Sequence, residues 1–395
     1  MPSLLHLSAL LMPLSLTAAL PFTGPVHPPA VAAVTRSAAR PVSRPGAPVP
    51  LAGRAALAAP ARSSRVHSMP LPGLGPALMP KPAPAPPPAA AAPHSGFPAH
   101  FTAPYVETWG SPSALARARE AAGLRYFTLA FVISDGGCTG AFDGTIALRD
   151  PEWLAAVGEL RAAGGDVAVS FGGSAGRELA LACGTVESLK AAYRQVVETF
   201  GLTRIDFDIE GAALDDEHSV DRRNQALAEL QREYAAAGHE LAVQYTLPVN
   251  PWGLSANALA VLTNARQHRL DVDVVNLMTM DYGPDLDMGD AAISAANGAH
   301  GQLGRLWPDR TSDQLWAMEG NTVMIGVNDA VNEVFTTADA ADLAAFAKAK
   351  GIRLLAFWSL GRDRPCTLEG TFSDVCSGTA QSRDDFSRTL NLNRP

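Results

Sequence analysis

The chain has 395 residues and sets 31 Lys and Arg against 39 Asp and Glu, a formal net charge of −8. Residues 1–95 hold seven Lys or Arg, no Asp or Glu, and 21 of the 31 prolines, which leaves about −15 on the remaining 300 residues. A globular part that acidic repels phosphate, so nucleic acid is excluded as its partner.

In chain order, Leu4 to Leu20 is an apolar run ending in small residues near Thr17-Ala18-Ala19. Its length suits a secretory signal peptide over residues 1–20 and falls short of a membrane span, which needs about 20 apolar residues. No Lys or Arg precedes it. Residues 21–96 are rich in Pro and Ala and poor in bulky apolar side chains, so an extended, disordered linker is expected there. The globular unit is then expected over 97–395, and a secreted, extracellular or periplasmic protein follows, with no membrane span.

From Phe97 onward short apolar runs alternate with amphipathic stretches. Strands are expected at Ala103–Val106, Tyr126–Ile133, Asp166–Phe171, Arg204–Ile209, Leu241–Leu247, Val272–Met278, Val323–Val327 and Leu354–Trp358. Helices are expected near 113–122, 151–163, 186–200, 220–237, 255–268, 290–303 and 337–350, with another near 384–390. Eight strand–helix units in about 300 residues predict an α/β fold, a (β/α)8 TIM barrel. A doubly wound open sheet is the alternative, but no Gly-rich phosphate-binding turn opens any helix. Four cysteines, Cys138, Cys183, Cys366 and Cys376, form no C-x-x-C pair and no zinc spacing with His. An even count in an exported chain favours two disulfides, with Cys138–Cys183 and Cys366–Cys376 expected among three connectivities.

Barrel chemistry sits at the C-terminal ends of the strands. The fourth strand reads Arg204-Ile205-Asp206-Phe207-Asp208-Ile209-Glu210. Side chains alternate along a strand, so the three acids share one face and the three apolar residues the other. With the apolar set packed outward beneath the helices, the acids point inward and Glu210 stands at the rim. Neighbouring carboxyls about 7 Å apart in a confined space resist full ionisation, and a retained proton near neutral pH is what a general acid needs. An edge strand with a solvated acidic face has no place in a buried array. A calcium loop wants its ligands on a Gly-containing turn, not on extended chain.

This pattern resembles glycoside hydrolase family 18, whose catalytic strand carries Asp-x-Asp-x-Glu, and within it the bacterial chitinases. The resemblance runs from about 100 to 365. Ser170-Phe171-Gly172-Gly173 matches the family's Ser-x-Gly-Gly motif. Met278-Thr279-Met280-Asp281-Tyr282 is similar to its Met/Tyr/Asp segment, and Trp358 ends the eighth strand where the family places a Trp. Two positions depart from the pattern. Thr203-Arg204 stands where Asp-Gly is common, and Met280 where Tyr is usual; Tyr282, of the same strand parity, is the substitute hydroxyl.

The resemblance implies retaining hydrolysis of chitin or chitooligosaccharides, assisted by the substrate's own acetamido group, with no cofactor or metal. Glu210 would be the proton donor, Asp208 would orient the acetamido N–H, and Asp206 would share a proton with Asp208. Tyr282 and Asp281 would hold the acetamido oxygen. Sugar rings present flat C–H faces, which calls for aromatic residues at strand ends. Trp358 is the expected pocket floor, and Met278 and Gln244 are expected beside it. Trp109 and Trp252 either extend the groove or anchor loops. Gly172 and Gly173 either let the backbone approach the sugar or make a tight turn. Cys138 and Cys183 would tie the loops after the second and third strands. The rivals are an endo-β-N-acetylglucosaminidase acting on N-glycans, which uses the same strand motif, and a non-catalytic chitin-binding lectin, against which the presence of Glu210 argues. A monomer is expected.

Overall fold

The computed structural model describes residues 96–394 except Val331, so the expectations for residues 1–95 lie outside the described residues. Eight parallel strands follow one another around a curled sheet: β1 (Phe101–Thr102 and Tyr105–Glu107), β2 (Tyr126–Ser134), β3 (Asp166–Gly172), β4 (Arg204–Asp208), β5 (Ala242–Asn250), β6 (Val272–Thr279), β7 (Glu319–Met324) and β8 (Leu354–Trp358). Helices α1 (Ala114–Ala122), α2 (Pro151–Ala162), α3 (Val186–Phe200), α4 (Glu217–Ala236), α5 (Ala256–Gln267), α6 (Met288–Leu306) and α7 (Thr337–Lys350) link consecutive strands, and α8 (Asp385–Thr389) follows β8. This is the (β/α)8 barrel that the alternation predicts.

The barrel closes through β1. Its first half pairs with β8 (Phe101 with Leu354) and its second half with β2 (Tyr105 with Thr128). Ala103-Pro104 divides the halves because proline has no N–H to give to a ladder. The chain crosses the division on carbonyl and amide contacts: Ala103 N–H donates to Leu355 O (3.0 Å), and Thr128 N–H donates to Pro104 O (3.0 Å).

Local sequence explains where the elements begin and stop. Asp150 caps α2 by accepting from the Glu152 and Trp153 amides (2.9 and 3.0 Å), and Pro151 occupies the first turn, where its missing N–H costs nothing. Thr185 and Thr336 form capping boxes at α3 and α7, and Gly201 and Gly351 end those helices in the left-handed conformation. The outward faces of the strands, such as Ile205 and Phe207, join one continuous hydrophobic layer beneath the helices.

One strand lies earlier than expected. β7 begins at Glu319, not at Val323. Its opening residues are polar yet fully buried: Glu319 meets His300 (3.1 Å), and Asn321 Nδ2 donates to Ala292 O on α6 (3.3 Å). Polar groups buried beneath the helices erase the apolar pattern that marks the other strands. Both disulfides form as expected. Cys138–Cys183 joins the loops after β2 and β3, and Cys366–Cys376 closes a loop after β8. Among the described residues no helix is long and apolar enough to cross a membrane.

Candidate active site

A cleft of about 480 Å³ opens at the C-terminal ends of the strands. Asp208 and Glu210 reach it from β4, Met278 from β6, Thr322 and Met324 from β7, and Trp358 from β8. Its aromatic surface is built by Trp358, Phe131 and Tyr105. The Phe131 and Trp358 rings stack at 5.5 Å with an interplanar angle of 16°, and Tyr105 lies 5.9 Å from Phe131 and 6.2 Å from Trp358. The ring of Trp109 sits 6.3 Å from Trp358.

The three acids of β4 stand in different surroundings. Asp206 is completely buried and accepts four hydrogen bonds. Ser170 Oγ (2.5 Å) and Tyr105 Oη (3.0 Å) donate to Oδ2, while Thr246 Oγ1 (2.8 Å) and Gln244 Nε2 (3.0 Å) donate to Oδ1. Burial pushes its carboxyl up and the four donors pull it back, with burial ahead. The charge of Asp206 is in turn one of the influences that raise Asp208.

The next pair along is Asp208 and Glu210. Their carboxyls act on each other. Burial, then the charges of Glu210 and Asp206, hold the Asp208 carboxyl well above the usual range. Burial and the charge of Asp329 raise Glu210 as well. Asp208 Oδ1 is buried with no hydrogen-bond partner, while Glu210 is half-buried at the point where the backbone turns out of the strand into Gly211.

Several expected residues lie elsewhere than the cleft wall. Gln244 is buried and braces Asp206, taking Arg204 Nη1 on its own oxygen (3.3 Å). Gly172 and Gly173 serve the packing of β3 against the catalytic strand. A Cβ on Gly172 would sit 2.0 Å from Asp208 O, Gly173 N–H donates to that same oxygen (3.0 Å), and a Cβ on Gly173 would strike the Phe131 ring. Trp109 (52% exposed) touches the cleft only through Trp358, and Trp252 (73% exposed) stands on the turn after β5, away from the cleft.

Tyr282 is also out of the cleft. It packs against the hydrophobic layer, and its hydroxyl is buried without a partner among the described residues. Strand parity fails here because β6 ends at Thr279 and Asp281 takes a left-handed conformation (φ 58°), which swings the following residue away. Met280 and Asp281 line the cleft in its place. The turn is held by Glu333, a fully buried carboxylate from the loop after β7: Asp281 N–H donates to Oε2 (2.7 Å) and Gly283 N–H to Oε1 (2.5 Å). The Asp281 carboxyl is pushed up to about 8 by burial, by its hydrogen bond with Asp329 and by the charges of Asp329, Glu333 and Glu210.

Sequence reasoning missed Tyr105, Phe131, Asn250, Asp329, Phe372 and Asp374, all of which line the cleft. Tyr105 carried a usable signal, since it opens the second half of β1 directly after a proline. Phe372 and Asp374 carried none, because they arrive on an irregular loop. Among the described residues no group of three His, Cys, Asp or Glu is arranged to hold a metal.

No protein-family model matches the chain. It is 34% identical over 286 residues to a probable bifunctional chitinase/lysozyme of Escherichia coli K12, covering 69% of this chain and 32% of that protein. It is 34% identical over 288 residues to Endochitinase 11 of Metarhizium anisopliae, covering 70% and 55%. The chain thus spans about a third and about half of the length of these curated relatives. The crystal structure of the catalytic domain of a hyperthermophilic chitinase from Pyrococcus furiosus matches with a TM-score of 0.68 at 34% identity, over 75% of this chain and 95% of that one. With a carboxylate strand, a closed barrel and this degree of likeness in common with them, the chain belongs with the chitinases of glycoside hydrolase family 18.

Proposed function

We propose that this protein hydrolyses β-1,4-linked N-acetylglucosamine polymers, with retention at the anomeric carbon, using the substrate's acetamido group as nucleophile and Glu210 as proton donor. The Asp208–Glu210 pair, both carboxyls raised by burial at the mouth of an aromatic cleft, carries this reading. A related solved chitinase from Pyrococcus furiosus was crystallised with chito-oligosaccharides. The two disulfides suit a protein exported from the cytoplasm.

A sugar unit lies with its flat face on Trp358. Glu210, taking the proton of the pair, gives it to the glycosidic oxygen, and the bond from that oxygen to the anomeric carbon breaks. The acetamido carbonyl oxygen closes on the same carbon to form an oxazolinium ion. Asp208, now charged, accepts the acetamido N–H and offsets the positive charge. Asp206, buried beneath it, tunes Asp208 by sharing a proton with it. Asp281 stands on the cleft wall to position the ring. Glu210 finally draws a proton from water, whose oxygen attacks the anomeric carbon and reopens the oxazolinium.

Wild-type protein should cleave chitin oligomers and leave a high-mannose glycoprotein intact. Glu210→Gln should lower kcat by about 10²–10⁴-fold, the usual contribution of general acid catalysis, while chitin binding survives. Release of an intact glycan without oligomer cleavage would refute the reading in favour of an endo-β-N-acetylglucosaminidase. Equal binding by wild type and variant with hydrolysis by neither would refute it in favour of a lectin.

A further inference from the structure

The loop after β8 has a construction that the catalytic reading leaves unused. It is closed by Cys366–Cys376 and carries three of the large apolar side chains exposed among the described residues: Leu368 (69% exposed), Phe372 (40%) and Val375 (57%). A disulfide-closed loop that gathers exposed apolar surface while its backbone is restrained has a surface to offer. Phe372 and Asp374 line the same cleft as Glu210 and Trp358.

The restraint comes from beneath. Arg362 is fully buried and donates to Ile325 O (2.9 Å) and Val327 O (2.6 Å) on the β7 side, and to Ser373 O (2.6 Å) within the loop. Its guanidinium lies 5.0 Å from the centre of the Phe372 ring. One face of that ring is therefore set on a cation anchored to three carbonyls, and the ring is held at the cleft. Arg364 Nε donates to Val375 O (2.5 Å) and Gly378 N–H approaches Cys366 Sγ (3.1 Å), so both legs of the loop are tied. A surface held in place before binding loses little entropy when a ligand settles on it.

We propose that this disulfide-closed loop is an additional sugar subsite. Phe372 takes the apolar face of an N-acetylglucosamine unit beyond the one held over Trp358, and Asp374 accepts a hydroxyl or amide N–H from it. The subsite makes the enzyme selective for chains long enough to span from Trp358 to Phe372. This rests on the proposed chitin hydrolysis, since it names how that cleft is extended.

Steady-state kinetics on chitohexaose and on 4-nitrophenyl N,N′-diacetylchitobioside test it. Phe372→Ala should raise KM for the hexamer about tenfold, equivalent to about 1.4 kcal/mol of lost binding, with kcat and the chitobioside kinetics unchanged. Phe372→Trp should keep the hexamer KM. The double variant Cys366→Ser/Cys376→Ser, with an unfolding midpoint measured alongside, should show the same length-selective loss as Phe372→Ala. An unchanged hexamer KM in Phe372→Ala, or an equal loss on both substrates, overturns the subsite. A wild type inactive on both substrates instead overturns the proposed hydrolysis, and titration of the hexamer into the Phe372→Ala protein then decides the subsite by binding alone.

Discussion

Tyr105→Phe removes one hydroxyl and almost nothing else. The ring keeps its neighbours Phe131 and Trp358, and no cavity opens. What disappears is one of the four donors to Asp206 and the 2.8 Å contact with Thr246. A hydrogen bond to a charged group contributes about 1.5–3 kcal/mol, so a loss of that size is expected in urea unfolding at pH 7. The pH dependence separates this cause from a packing fault. Asp206 already has a folded-state pKa raised by burial, so its burial lowers stability above the ordinary Asp pKa and has no such effect below it. Removing a donor raises that pKa further. The deficit of the variant must therefore be largest at neutral pH and shrink as pH falls through the raised folded-state pKa of Asp206; proton uptake by the unfolded chain is the same for both proteins and cancels. Unfolding curves at pH 7 and pH 3.5 measure it. A deficit equal at both values, or larger in acid, would refute the link between the Tyr105 hydroxyl and the charge of Asp206.

Gly172→Ala would place a methyl group 2.0 Å from the Asp208 carbonyl at a backbone φ of 103°, so β3 and β4 must separate. A stability loss of about 1–3 kcal/mol from overpacking is expected, with kcat falling more than KM rises, since the displaced residue is Asp208. Glu333→Gln keeps one acceptor for the two amides at the Asp281 turn and removes a charge that raises the Asp281 carboxyl. The alkaline limb of the pH–rate profile should move to lower pH; a limb that stays in place refutes the link between Glu333 and Asp281.

The barrel and its catalytic strand were legible because both rest on local periodicity. Asp206, Asp208 and Glu210 alternate with Ile205, Phe207 and Ile209, and only one orientation buries the apolar set. Periodicity stopped being informative wherever the backbone left the strand conformation. Tyr282 was counted on the parity of Met280, but the left-handed Asp281 between them breaks the count. The role of Gly172 was hidden for a different reason: its neighbour, Asp208 O, is 36 positions away in the chain and belongs to the next strand. The four partners of Asp206 are spread over β1, β3 and β5, so its charge state is a property of three strands that no single segment displays. The Phe372 loop lacks any repeat, and its place at the cleft follows from Arg362 gripping carbonyls on two loops.

The seam of the barrel also bears on how the protein is made. Phe101 N–H donates to Arg353 O, a partner 252 positions later in the chain. On a ribosome adding roughly 5–20 residues per second, the first half of β1 waits on the order of 10–50 s before its partner strand exists. Throughout that interval the nascent chain carries an unpaired strand edge of the kind that recruits other edges. Each nascent copy thus passes through a period of aggregation hazard whose length is set by the position of β8, and slower translation lengthens it.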